Sequence, residues 1–207
     1  FGAEDQLRLL TLARDLLVEA GTPAPTAFRS GCFAADADTL AALAELGIAY
    51  DSSHNGADHP HPSNLPLDPR LIDPVECDRV IEVPVSQIRL AGGGRRPMHL
   101  CARSWAGLHS ALRHAARENH PVVTIVSHSF EMASRDGRRV NKLVRGRFDR
   151  LCDFLAANVR TMPTVTFAEL PAPRPAARSK LAPPAPLRAL RRMAEQAFGN
   201  TLYERPR

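Results

Sequence analysis

Residues Val122-Val123-Thr124-Ile125-Val126-Ser127 form an almost unbroken apolar, β-branched run that stops on His128. A run of this kind has no solvent face of its own. It predicts a strand covered on both sides, as in a parallel sheet, and that requirement limits the fold to the α/β class. His128 then stands at the carboxyl end of the strand, where α/β sheets and barrels gather their chemistry. An earlier segment, Ala27-Phe28-Arg29-Ser30-Gly31, has the same form, a short strand ending on one charged residue. A histidine and an arginine at one rim of one sheet suggest an active site.

The rest of the chain alternates in the same way. Residues 4–20 have Leu9, Leu10, Ala13, Leu16, Leu17 and Ala20 at helical spacing and end on Gly21. Asp36 or Asp38 caps a second helix whose inner face is Leu40, Leu43 and Leu46 and whose stop is Gly47. Ile48-Ala49-Tyr50-Asp51 is a strand, and residues 52–78 form a long loop without periodicity. Val80–Ile88 reads as a strand that Pro84 makes an edge or a bulge. Met98–Ala102 reads as a short strand, Ser104 caps a helix that runs to about Asn119, and a basic loop at 135–139 precedes a long helix. Thr164-Val165-Thr166-Phe167 is the last expected strand. This order implies a parallel-rich sheet or a barrel.

The net charge of +5 is unevenly distributed. From 172 onward there are eight Lys/Arg and two acids, whereas residues 1–171 carry 19 bases and 20 acids. The basic character therefore belongs to the tail, and the body is not a nucleic-acid surface. Two regions follow: an α/β domain over 1–171, and a Pro/Arg-rich linker with a basic amphipathic helix over 172–207. The helix is expected at about 187–198, with Leu187, Leu190, Met193, Ala194 and Ala197 in one stripe. It suits docking on the body or a protein partner, or a membrane surface. Nucleic-acid binding by this tail ranks last, because aromatic residues are few. Cys32, Cys77, Cys101 and Cys152 lack metal-site spacing and are expected as buried free thiols, which favours a reducing, cytoplasmic setting. No apolar run reaches the roughly 18 residues of a membrane span.

Four segments together resemble the NodB-type polysaccharide deacetylases, in the branch linked to surface-polysaccharide synthesis. They are Thr26-Ala27-Phe28-Arg29-Ser30-Gly31-Cys32-Phe33, Gly47-Ile48-Ala49-Tyr50-Asp51-Ser52-Ser53, Ile81-Glu82-Val83-Pro84-Val85 and Ser127-His128-Ser129-Phe130-Glu131-Met132. The resemblance spans about residues 5–170. It implies a (β/α) barrel of the polysaccharide deacetylase type and hydrolysis of an N-acetyl group on a sugar or polysaccharide. In that family a divalent metal, usually zinc, polarises the acetyl carbonyl, a carboxylate is the base and a histidine protonates the departing amine. By resemblance, His128 is the general acid and Arg29 tunes the catalytic carboxylate, with Asp51 and Glu131 as substrate-binding residues.

The chain departs from the family in having neither the Asp-Asp pair nor the H-x-x-x-H motif that hold the metal, so no metal ligand is assigned. The expectation is a barrel incomplete at its N-terminus, starting downstream of both motifs. Arg29 is followed by Ser-Gly where many members have x-Pro. The alternative is a non-catalytic, deacetylase-like domain that binds glycan or a synthesis partner. Each residue also has a structural reading. His128 can simply bond at a strand end, Arg29 can sit in an ion pair, Asp51 can cap a turn with Ser52 and Ser53, and Glu131 can orient His128 or cap a helix. His59-Pro60-His61 reads as exposed loop. Gly92–Gly94 precedes no GK[ST], and no Gly-x-Ser-x-Gly elbow occurs.

Overall fold

The computed structural model describes residues 1–170, 178–184, 193–195 and 197–204. The chain divides into two compact units. The first is Phe1–Val85 with Val165–Ser179, and the second is Ser86–Thr164 with Lys180–Arg207.

In the first unit, helix α1 (Ala3–Glu19) is followed by β1 (Ala27–Phe28), α2 (Ala37–Glu45), β2 (Tyr50–Asp51), β3 (Val75–Cys77) and β4 (Val80–Glu82). The sheet order is β1-β2-β4-β3, with β1, β2 and β4 parallel and β3 antiparallel at the edge. This sheet is open. The start of α2 follows from its cap. The Asp36 side chain accepts from the Thr39 N–H at 3.1 Å, and the Thr39 hydroxyl faces the Asp36 N–H at 3.1 Å. Its end follows from Gly47, whose φ of +69° suits a residue without a Cβ. Leu40 and Leu43 are buried with Ile48, Leu65 and Val80. Helix α1 forms at its expected place, but no residue on it is fully buried, and Leu9, Leu16 and Leu17 remain about half exposed. Only Leu10 of its stripe packs on that core.

The second unit holds β5 (Gln87–Arg89), β6 (Arg95–Pro97), α3 (Trp105–Arg117) and α4 (Lys142–Ala157). β5 and β6 pair antiparallel through the Gly92–Gly94 turn, with Gly93 at φ +84°. Ser104 caps α3 as expected, and Asn141 caps α4. Leu100, Leu108, Leu112, Val144 and Leu151 form the core. Arg147 of α4 is also buried, bonded to the Cys101 carbonyl at 2.8 Å and to Glu195 at 2.9 Å.

Four expected strands change form. Met98–Ala102 holds only an isolated bridge at His99 and turns at 101–102. Pro84, which has no N–H to donate, splits the 80–88 run between two sheets. Pairing continues on either side of it, from Val83 N–H to the Asp51 carbonyl and from Val85 N–H to the His54 carbonyl. The 122–127 run is extended but makes only an isolated parallel bridge, Val126 with His99. Its bonds pass through Thr124 and Val126, which lie on one edge of the segment, and Val126 alone is fully buried. The two-sided cover expected of it is therefore absent, and it is not a strand of the sheet that carries Arg29. Residues 164–166 are extended without pairing and lead into a 3-10 turn at Phe167–Glu169.

The thiols also differ from expectation. All four are free, Cys32 and Cys152 are exposed, and Cys77 and Cys101 are half-buried. Much of the 172–207 linker and helix lies outside the described residues. Within them, Ala182 bridges Ile88 in parallel, and residues 193–195 and 197–199 are helical with Met193 exposed. No helix among the described residues is long and apolar enough to cross a membrane.

Leu43→Ala should cost about 2–5 kcal/mol, because the side chain is fully buried and the cavity relaxes only in part. Leu16→Ala on the open face of α1 should stay within about 0.5 kcal/mol. Urea unfolding followed by circular dichroism measures both, and equal losses would contradict this assignment of the core.

Candidate functional site

The sequence-derived site residues fall into two groups, one in each unit. Arg29 and Asp51 belong to the first, and His128 and Glu131 to the second.

In the first unit the short strands place polar side chains in register. Asp51 and Glu82 are Cα partners across the parallel β2/β4 ladder, and both are fully buried. The Ser53 hydroxyl donates to Asp51 Oδ1 at 2.6 Å, and the His54 N–H donates to Glu82 Oε1 at 2.9 Å. The two carboxyls are neighbours across the ladder, and one oxygen of each, Asp51 Oδ2 and Glu82 Oε2, has no hydrogen-bond partner. Two buried carboxyls this near each other resist ionising together, which favours a single proton shared between them. Burial, then the neighbouring Asp51 charge, pushes Glu82 well above the usual carboxylate range. Burial also raises Asp51, against its hydrogen bonds from Glu82 and Ser53.

Arg29 follows β1 and turns back over this pair. It donates through Nε to the Ser52 carbonyl at 3.0 Å and through an Nη to the Ser52 hydroxyl at 2.7 Å. Burial lowers its pKa, opposed by attraction to Asp51 and Glu82. Just beyond it, Cys32 and Phe33 both hold positive φ, at 53° and 59°. The Ser30 N–H bonds to the Ser53 hydroxyl at 2.9 Å, which fixes where this strained turn begins. Asp51 thus lies inside the sheet beneath Arg29, with no exposed surface.

In the second unit, His128 opens a 3-10 turn, Ser129–Met132, that brings Glu131 back beneath it. The His128 N–H donates to Glu131 Oε2 at 3.3 Å, and His128 Nδ1 lies 3.4 Å from Glu131 Oε1. A third residue joins them. His99 Nε2 approaches the same Oε1 to 2.7 Å, and the two imidazoles meet edge to face at 5.5 Å. The His99 approach is short but not aligned as a hydrogen bond. Burial alone would raise Glu131. Hydrogen bonding from the Cys101 thiol, the His99 charge and hydrogen bonds from His128 outweigh it, so the carboxylate is held below its usual range. Burial and Glu131 together push the Cys101 thiol up to about 12. The His128 side chain is 47% exposed, and Phe130 stacks on its ring at 5.0 Å. His99, His128 and Glu131 each bring one donor atom within a 4.8 Å cluster.

Sequence reasoning missed His99 and did not assign a role to Glu82. His99 lies between Met98 and Leu100, both buried, in an extended segment. That alternation sends its side chain to the opposite face and was the available signal. Glu82 was visible only within the Ile81–Val85 resemblance. His59 and His61, expected as loop, are half-buried and exposed respectively.

The chain matches no protein-family model, no curated protein and no solved structure.

The shared proton gives a pH signature. Unfolded, Glu82 titrates near about 4.3. Folded, it keeps its proton to a higher pH, so stability present below that value is lost as pH rises through the raised folded-state pKa. Glu82→Gln cannot ionise. Its stability relative to the native protein should therefore grow from about pH 5 to about pH 8, read as urea midpoints. A difference that stays constant over that range would rule out the shared proton.

Proposed function

We propose that the chain carries a barrel domain of the polysaccharide deacetylase type and hydrolyses the N-acetyl group of a sugar or polysaccharide. The carrying observation is His128, an exposed imidazole backed by the largely buried carboxylate of Glu131 at 3.4 Å. A pair of this kind can hold a proton at the surface and deliver it to a leaving group. The parallel order of β1, β2 and β4, ending respectively before Arg29, on Asp51 and on Glu82, supports the same reading.

In the proposed reaction the oxygen of water adds to the acetyl carbon. The C–N bond breaks, acetate departs, and the amine nitrogen takes its proton from His128, while the added water loses its proton to solvent, from which His128 is reprotonated. Glu131 holds the imidazole in place. Within the first unit Arg29 offsets the negative charge of the Asp51–Glu82 pair and keeps that strand end fixed. The partner is a carbohydrate, with no role for nucleic acid.

The zinc-class metal of the family would polarise the acetyl carbonyl. Its usual Asp-Asp and H-x-x-x-H ligands are not in this chain. The donor set present, His99, His128 and Glu131, includes the proposed proton donor itself, so an ion held there would take that imidazole out of proton transfer and could not serve as the family's catalytic metal. No step above passes through it. This mismatch favours the second reading, a deacetylase-like domain that binds glycan or a synthesis partner without turnover.

Acetate release from N-acetylglucosamine oligomers tests the proposal. His128→Ala should lower the rate by about 10²–10⁴-fold, and Glu131→Gln should lower it less. Undiminished turnover in His128→Ala would remove the histidine from the reaction. Oligomer retention without acetate would establish the binding reading instead.

A further inference from the structure

We propose that His99, His128 and Glu131 form a binding site of their own for one divalent transition-metal ion of the zinc and cobalt class. Two imidazole nitrogens and one carboxylate oxygen are a donor set that such ions prefer, whereas magnesium and calcium take oxygen ligands. The three donor atoms already lie within 4.8 Å of one another, before any ion draws them in.

The geometry around Glu131 separates its two oxygens. Oε2 accepts the His128 N–H at 3.3 Å, while Oε1 faces His99 Nε2 at 2.7 Å and His128 Nδ1 at 3.4 Å. One oxygen is anchored and the other is shared by both rings, which suits a single-oxygen ligand. Ligands at about 2.0–2.1 Å from zinc stand about 3.3 Å apart in a tetrahedron. The His128–Glu131 separation meets that value as it stands. The His99–Glu131 separation needs to open by roughly half an ångström, within the reach of small side-chain rotations. Their close approach lacks hydrogen-bond alignment, so an ion drawing on both atoms breaks no hydrogen bond between them.

The surroundings resemble a supported metal centre. The Cys101 thiol lies beside Glu131, where an outer-shell neighbour of a metal ligand would stand. Phe130 lies stacked against the His128 ring and limits its rotation. His128 is the exposed member, so a fourth coordination position would face solvent. His99 comes from the segment after β6, whereas His128 and Glu131 share one turn, so the ion would tie two distant stretches of the second unit together. An ion on Nδ1 keeps the ring from taking up the second proton that makes it a donor. Loading would therefore hold the hydrolase proposed above in a resting form, a consequence that rests on that reading.

Binding can be measured without any substrate, so its failure and the failure of the hydrolase reading remain distinct. The full chain, stripped with chelator and dialysed, is titrated with zinc and with cobalt by calorimetry, and the cobalt absorption spectrum is recorded. One ion per chain with a four-coordinate cobalt spectrum is expected. His99→Asn and Glu131→Gln should abolish the isotherm, and His61→Ala should bind as the native chain does. Circular dichroism melts confirm that each variant is folded. No binding by the native chain, or undiminished binding in folded His99→Asn, overturns the site.

Discussion

The first unit depends on Asp51 and Glu82 meeting across a parallel ladder in a place without water. β1 and β2 are two residues long and β4 three, too short for main-chain bonds to fix the sheet alone. Side chains extend the ladder instead. Arg29 reaches Ser52, the Ser52 hydroxyl donates to the Val83 carbonyl at 2.7 Å, Ser30 reaches Ser53, and the His54 N–H closes on Glu82. Residues 51–55 are consequently as buried as the sheet that they leave. Two ionised carboxylates at such a position would repel one another with little screening. A single shared charge, faced by the Arg29 guanidinium, is what the site can hold.

How much of this the sequence disclosed depends on the range of the signal. α2, α3 and α4 were legible because spacing and caps are local, as at Asp36, Ser104 and Gly47. The strands were over-read because an apolar run reports hydrophobicity and not pairing. Val122–Val126 has the composition of a central strand, yet its partners, Ser86, Met98 and Leu100, arrive only at scattered points. The stripe of α1 was equally clear, but periodicity cannot say whether a surface exists to receive it. The thiols were misjudged for a similar reason, since a residue-type preference carries no position.

The site divides along the same line. His128 and Glu131 are three residues apart, and one turn suffices to join them, so their pairing could be read directly. His99 lies 29 residues upstream of His128 and reaches Glu131 only through the bridge between residues 99 and 126. Asp51 and Glu82 are separated by the long loop. Their contact follows from a register that only the folded sheet sets.

Glu82 and Glu131 show how much the neighbours decide. Both are withdrawn from water, and burial alone would raise both. Glu82 meets a second carboxyl, which favours its protonated form further and turns it to cohesion. Glu131 meets a thiol, two imidazoles and a backbone N–H, every one able to donate, and it remains an anion. Two carboxyls driven apart in this way mark different duties. The first is locked within the β2/β4 ladder with every route to solvent closed. The second keeps a free lone pair beside an exposed imidazole, which is the minimum that proton transfer or metal capture requires.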